Sequence, residues 1–147
     1  MTAMNTDPRT QPRDSLDMAP IVKRVGLVLV FLWFLIGGVA HFTLTELEMR
    51  IVPPSIPWPR AAVLLSGVFE LLGAVGILIP LTRRAAGVGL FLLTLAVTPA
   101  NIYMLQHAEL FHVARWALIA RLPFQAVLLA LIIWSTWHTA PKAQPPV

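Results

Sequence analysis

Four long apolar runs with almost no charge inside them limit what this chain can become. The first, residues 25–42, follows Lys23-Arg24 and carries no charge unless His41 titrates. The second, 61–80, is interrupted only by Glu70, and Arg83-Arg84 separates it from the third, 85–104. The fourth runs from near Arg115 to Trp137, with Arg121 and Pro123 inside it. At 1.5 Å per residue, about 18 residues just cross a ~30 Å hydrocarbon layer. Only helices and closed barrels can satisfy their backbone there. The runs therefore predict an all-α integral membrane bundle of four transmembrane helices. Pro123 fits either the first turn of a late fourth helix or a kink in a longer one. The longer helix is expected, because 122–137 alone is short for a span.

Composition agrees. Only 12% of residues are charged and mean hydropathy is +0.75, where a soluble domain carries roughly a quarter charged residues. At 147 residues the chain suits one domain and not two. The net charge of +4 and the pI near 10.7 come without basic runs longer than Lys23-Arg24 and Arg83-Arg84. That pattern points to the positive-inside rule and not to nucleic acid. The chain has no cysteine. Disulfides, thiolate nucleophiles, Cys-ligated zinc and iron–sulfur clusters are excluded, as is electron shuttling from a cysteine pair to a quinone.

Residues 1–20 are polar, contain Pro8, Pro12 and Pro20, and lack apolar periodicity. They read as a disordered cytoplasmic tail, 21–140 as the four-helix transmembrane domain, and 141–147 as a short cytoplasmic tail. Lys23-Arg24, the apolar run and Gly38-Val39-Ala40 also have the form of a cleavable secretory signal. The long, partly acidic tail and the three spans that follow weigh against cleavage. Arg9, Arg13, Lys23, Arg24, Arg83, Arg84 and Lys142 fall on one side of the membrane, and Arg50, Arg60, Arg115 and Arg121 on the other. Seven against four predicts both termini inside. Trp58 and Trp116 then mark the outer interface and Trp134 and Trp137 the inner one.

Both outer connections carry character of their own. In TLTELEMRIVPPSIPWPR, Pro53, Pro54, Pro57 and Pro59 fix φ and remove donors. This predicts a stiff extended cover, serving either as a connector or as a lid. The segment HAELFHVARW mixes His107, Glu109, His112 and Arg115 with apolar residues and suits a short interfacial helix.

The depth of the few polar residues inside the spans is more informative. His41 lies at the outer end of helix one, Glu70 near the middle of helix two, Asn101 near the outer end of helix three. Arg121 and Gln125 lie in the outer part of helix four. Five hydrogen-bonding side chains thus converge on the outer half from all four helices. Charge at this depth costs on the order of 3 kcal/mol per residue by insertion scales. Glu70 and Arg121 are therefore expected to face inward, either as an interhelical ion pair or as walls of a polar cavity that binds a small molecule. No metal site is expected. Haem would need two facing histidines, and His41, His107, His112 and His138 offer no such pair at one depth. Small residues in helix two (Ser66, Gly67, Gly73, Ala74, Gly76) and at the start of helix three (Ala85, Ala86, Gly87, Gly89) read as packing surface.

The segments GGVAHF around His41, IVPPSIPWP, SGVFELLGAVGILIPLTRRAAG with Glu70, TPANIYM with Asn101, and RLPFQ with Arg121 and Gln125 follow one another in a telling order. In that order and spacing the chain resembles the DoxX family of small four-helix bacterial membrane proteins, over about 25–137. The resemblance implies a multi-pass protein of the bacterial inner membrane. It also implies an association with terminal oxidase or thiosulfate:quinone oxidoreductase subunits, while naming no settled reaction. The expectation is a redox-associated subunit whose outward cavity of His41, Glu70, Asn101, Arg121 and Gln125 binds a quinone or similar small molecule. Glu70 would exchange a proton, Arg121 and Gln125 would hold an oxygen, and electrons would come from a redox protein partner. The competing expectation is a non-enzymatic assembly or interaction protein, with the polar cluster as structural glue. Either form can act as a homo-oligomer.

Overall fold

A computed structural model describes residues 18–137. The helices are α1 (Met18–Thr43), α2 (Thr45–Met49), α3 (Pro59–Leu78), α4 (Arg83–Ala96), α5 (Thr98–Gln106) and α6 (Arg115–Thr136), with one 3₁₀ turn at Ala108–Leu110. No strand occurs among the described residues. Four stretches are long and apolar enough to cross a membrane: Ile21–Thr43, Pro59–Leu78, Arg83–Gln106 and Arg115–Thr136. The protein is an all-α, multi-pass membrane bundle. The tails outside 18–137 lie beyond the described residues. Inside them, α1 already begins at Met18, within the stretch read as tail; Pro20 falls in its first turn, where a missing N–H costs no hydrogen bond.

The four spans close a ring in the order α1, α3, α4, α6, with α1 packing on α3 and α6, and α4 packing on both as well. Val30, Phe34, Ala74, Ile77, Leu90, Leu128 and Ile132 fill its middle. The outward faces are no less apolar: Ile36, Leu72 and Val127 are each more than 60% exposed in mid-span. In water such surfaces would aggregate, whereas in a bilayer they are the solvated side.

Basic residues at the end of the bundle that holds Met18 and Trp137 also bond to the backbone. Lys23 Nζ donates to the Trp137 carbonyl at 3.0 Å, and Arg83 Nε to that of Ile77 at 2.8 Å. Thr82 Oγ1 adds a bond to the Gly76 carbonyl at 2.8 Å. These bonds satisfy carbonyls that α3 and α6 leave open at their C-termini, where cations also meet the negative end of the helix dipole.

α6 runs unbroken through Pro123, as the longer reading expects. The third span does not run unbroken. It parts at Val97 (φ −86°, ψ −3°) into α4 and α5, because Pro99 has no N–H to continue the ladder. α5 then packs against α6. At the opposite end, the loop end, two expectations are corrected. The stretch after α1 is not extended throughout: Thr45–Met49 coils into α2, which packs on α3, and a turn closes from Ile56 N to Pro53 O at 3.0 Å. Thr45 Oγ1 favours this by donating to the His41 carbonyl at 2.7 Å, capping α1. The second outer segment forms only the 3₁₀ turn, then extends through Ala114 (φ −57°, ψ 131°) into α6.

Candidate functional site

The closest approach of α1 and α3 is built on glycine. A Cβ on Gly38 would stand 2.8 Å from the Leu71 side chain and 3.2 Å from the Gly67 carbonyl oxygen. One on Gly67 would stand 2.7 Å from His41 Cβ. Without those Cβ atoms the backbones come together, and the next polar positions on the two helices meet. His41 Nε2 lies 3.4 Å from Glu70 Oε1, with side chains only 15% and 12% exposed. The other carboxylate oxygen, Oε2, rests against Gly37, where a Cβ would come within 2.6 Å of it. His41 Nδ1 is buried and has no hydrogen-bond partner among the described residues. A carboxylate beside an imidazole in apolar surroundings can share one proton between them, and the free nitrogen adds one further donor or acceptor.

A second polar group surrounds the break in the third span. Gln125 is buried in α6. Its amide donates to the Thr94 carbonyl at 2.8 Å and to Thr98 Oγ1 at 2.6 Å, and its oxygen accepts from Asn101 Nδ2 at 2.8 Å. Both amide hydrogens and one face of the amide oxygen are engaged. The ordinary helical donor to the Thr94 carbonyl would be the N–H of Thr98, at the break itself. Gln125 therefore supplies the donor that the Thr94 carbonyl lacks at the break, the way neighbouring helices re-satisfy broken ones in lipid. Arg121, one turn earlier on α6, donates through Nη1 to Met104 Sδ at 3.2 Å and to Asn101 Oδ1 at 3.5 Å.

The five predicted residues thus fall into two groups, His41 with Glu70 between α1 and α3, and Asn101 with Gln125 and Arg121 between α5 and α6. Glu70 and Arg121 do not form the ion pair. Glu70 meets His41, and among the described residues no carboxylate lies within 4 Å of Arg121. The reason is rotational: Arg121 faces α5, and Glu70 faces α1. Thr94, Thr98 and Met104 were missed by sequence reasoning. Thr94 and Thr98 stand one turn apart just before Pro99 in a span, which is a legible sign of a helix break needing outside help.

Two open grooves accompany these groups. One of about 460 Å³ lies between α3 and α4 and is apolar, lined by Phe69, Leu72, Gly89, Leu93 and Ala96 among others. The other, about 350 Å³, opens at the loop end along Phe42–Leu47 and Arg60. None of the five residues lines either groove. Phe42, which follows His41, forms one wall of the second, and its ring also lies over Gly67, where a Cβ would stand 2.9 Å away. Of the other histidines, His107 Nδ1 sits 3.1 Å from the Tyr103 carbonyl, and its ring stacks on Tyr103 at 4.4 Å. His112 is exposed, and His138 lies outside the described residues.

A family model described as a domain of unknown function (DUF8561) matches residues 30–139, three quarters of the chain. The chain belongs to this family. The matched range of the DUF8561 domain runs from the middle of α1 past the end of α6, so both polar groups lie within it. No curated protein and no solved structure matches the chain.

Proposed function

We propose that this DUF8561 protein is a DoxX-like, redox-associated subunit of the bacterial inner membrane with both termini in the cytoplasm. Its His41–Glu70 pair forms the polar end of a site for a quinone or similar small molecule. The observation that carries the reading is the pair itself, a nearly buried imidazole–carboxylate contact inside a span, whose buried Nδ1 has no partner among the described residues. Buried polar atoms without partners are rare and call for a reason. The loop-end groove beside Phe42 is the route by which a ring-shaped head group would approach. In this role the pair exchanges the proton that accompanies quinone reduction or quinol oxidation, and the electrons pass to or from a redox partner, since the chain has no thiol couple. Asn101 and Gln125 are not ligand groups in this scheme, because the helix break occupies them.

That last point favours the second reading, an assembly or interaction protein, for the α5–α6 half of the cluster. Mass spectrometry of gently solubilised protein separates the two. The first reading expects a co-purifying quinone that is lost in His41→Phe, with the variant still folded by circular dichroism. A quinone-free extract carrying a stable protein partner would replace it with the second.

A further inference from the structure

Among the described residues Arg121 is the one arginine set well inside a span, in the seventh position of α6 and ~9 Å along the helix from Arg115. It is exposed on the bundle surface. Among the described residues only Nη1 is engaged, by a thioether, which is a weak acceptor, and by an amide oxygen at the long distance of 3.5 Å; neither carries a charge. Nε and Nη2 have no partner among the described residues, and together they form the side-on fork that matches two oxygens of one anion. The guanidinium cannot shed its proton, so at this depth it is stabilised by reaching the interface or by meeting an anion.

The direction of α6 decides which anion. Side chains on a helix lean towards its N-terminus, and the N-terminus of α6 is at the loop end. Arg121 therefore rises towards the nearer membrane surface. Trp116, 74% exposed and five residues above it, marks that surface. The remaining ~7 Å is within the span of a snorkelling arginine. At that level the abundant anion is the phosphate of a phospholipid, and the positive end of the α6 dipole adds to the attraction. We propose that Arg121, steered by Asn101 and Met104, holds a phospholipid phosphate at the seam between α5 and α6. The site is separate from the His41–Glu70 pair and stands whether or not a quinone binds there.

Native mass spectrometry of the full chain in detergent tests this, with phosphatidylglycerol offered against the uncharged, phosphate-free monogalactosyldiacylglycerol. The wild type should retain one phosphatidylglycerol per chain with a preference of about tenfold or more, as one charge-assisted bond pair provides. Arg121→Gln should abolish the preference, while Arg115→Gln at the helix start leaves most of it. If Arg121→Gln does not fold, Arg121→Lys carries the test: it keeps the charge without the fork and should lose the preference severalfold. Unchanged preference in both variants refutes the site. Displacement of the lipid by inorganic phosphate would also overturn the proposal, assigning the arginine to a soluble anion.

Discussion

Replacing Glu70 with Met and His41 with Phe, singly and together, measures how tightly the α1–α3 contact is held. Either single change strands a polar partner, 12% or 15% exposed, against apolar neighbours. Side-chain pairs across membrane helices couple by about 0.6 kcal/mol on average and about 1.7 at most, since the unfolded state in the membrane also finds partners. The 3.4 Å separation is longer than an ideal hydrogen bond, but the carboxylate is nearly enclosed and has Gly37 behind it. The coupling is therefore expected towards the upper end, about 1.5 kcal/mol, or roughly tenfold in the unfolding equilibrium. The double variant should be more stable than the worse single, because it removes both polar groups and fills the same space with apolar atoms. A companion cycle with Glu70→Met and Arg121→Met should be additive within about 0.5 kcal/mol, since the two residues share no partner. Reversible unfolding in mixed detergent and SDS micelles reads both cycles. Additivity for His41 with Glu70, or strong coupling between Glu70 and Arg121, would refute the pairing and the rotation of α3 that it implies.

Three further outcomes are expected. Gly67→Ala should destabilise by about 1–3 kcal/mol, because its Cβ meets His41 and Gly38 in a tight crossing. Gly89→Ala, with nothing within 4 Å, should be neutral or stabilising by up to about 1 kcal/mol, and thermal melts compare the two. Gln125→Leu leaves the Thr94 carbonyl and the Asn101 amide without their partner. It should cost about 2 kcal/mol and raise hydrogen exchange around 94–101, with unchanged exchange counting against the role of Gln125 at the break. A reporter active only in the cytoplasm should work when fused after Val147 and fail when placed between Pro53 and Pro59, with the reverse pattern inverting the proposed orientation.

How much of this could be read from the chain differs by element. The four spans were legible almost to their ends, including the passage of α6 through Pro123. The break at Val97 was not anticipated, although Pro99 and the two threonines before it were in plain view. The prolines of the loop after α1 favour extended backbone and say nothing of the residues before them. The short helix at Thr45–Met49, with its threonine cap on α1, is set by residues that precede them.

The polar residues divide more sharply. That His41, Glu70, Asn101, Arg121 and Gln125 are out of place in apolar spans is a property of each residue against its local background, so the sequence alone determined it. Which of them touch is a matter of helix rotation and neighbour choice. In a soluble helix the contrast between a wet and a dry face sets that rotation. In lipid both faces are apolar, so the sequence carries little of that contrast. Here rotation follows from where backbones can approach, at Gly38 and Gly67, and from which broken carbonyl needs a donor, at Thr94. Both depend on two segments distant in sequence arriving together. Only the tertiary structure, accordingly, set Glu70 against His41, gave Gln125 to the helix break, and left Arg121 exposed beside α5.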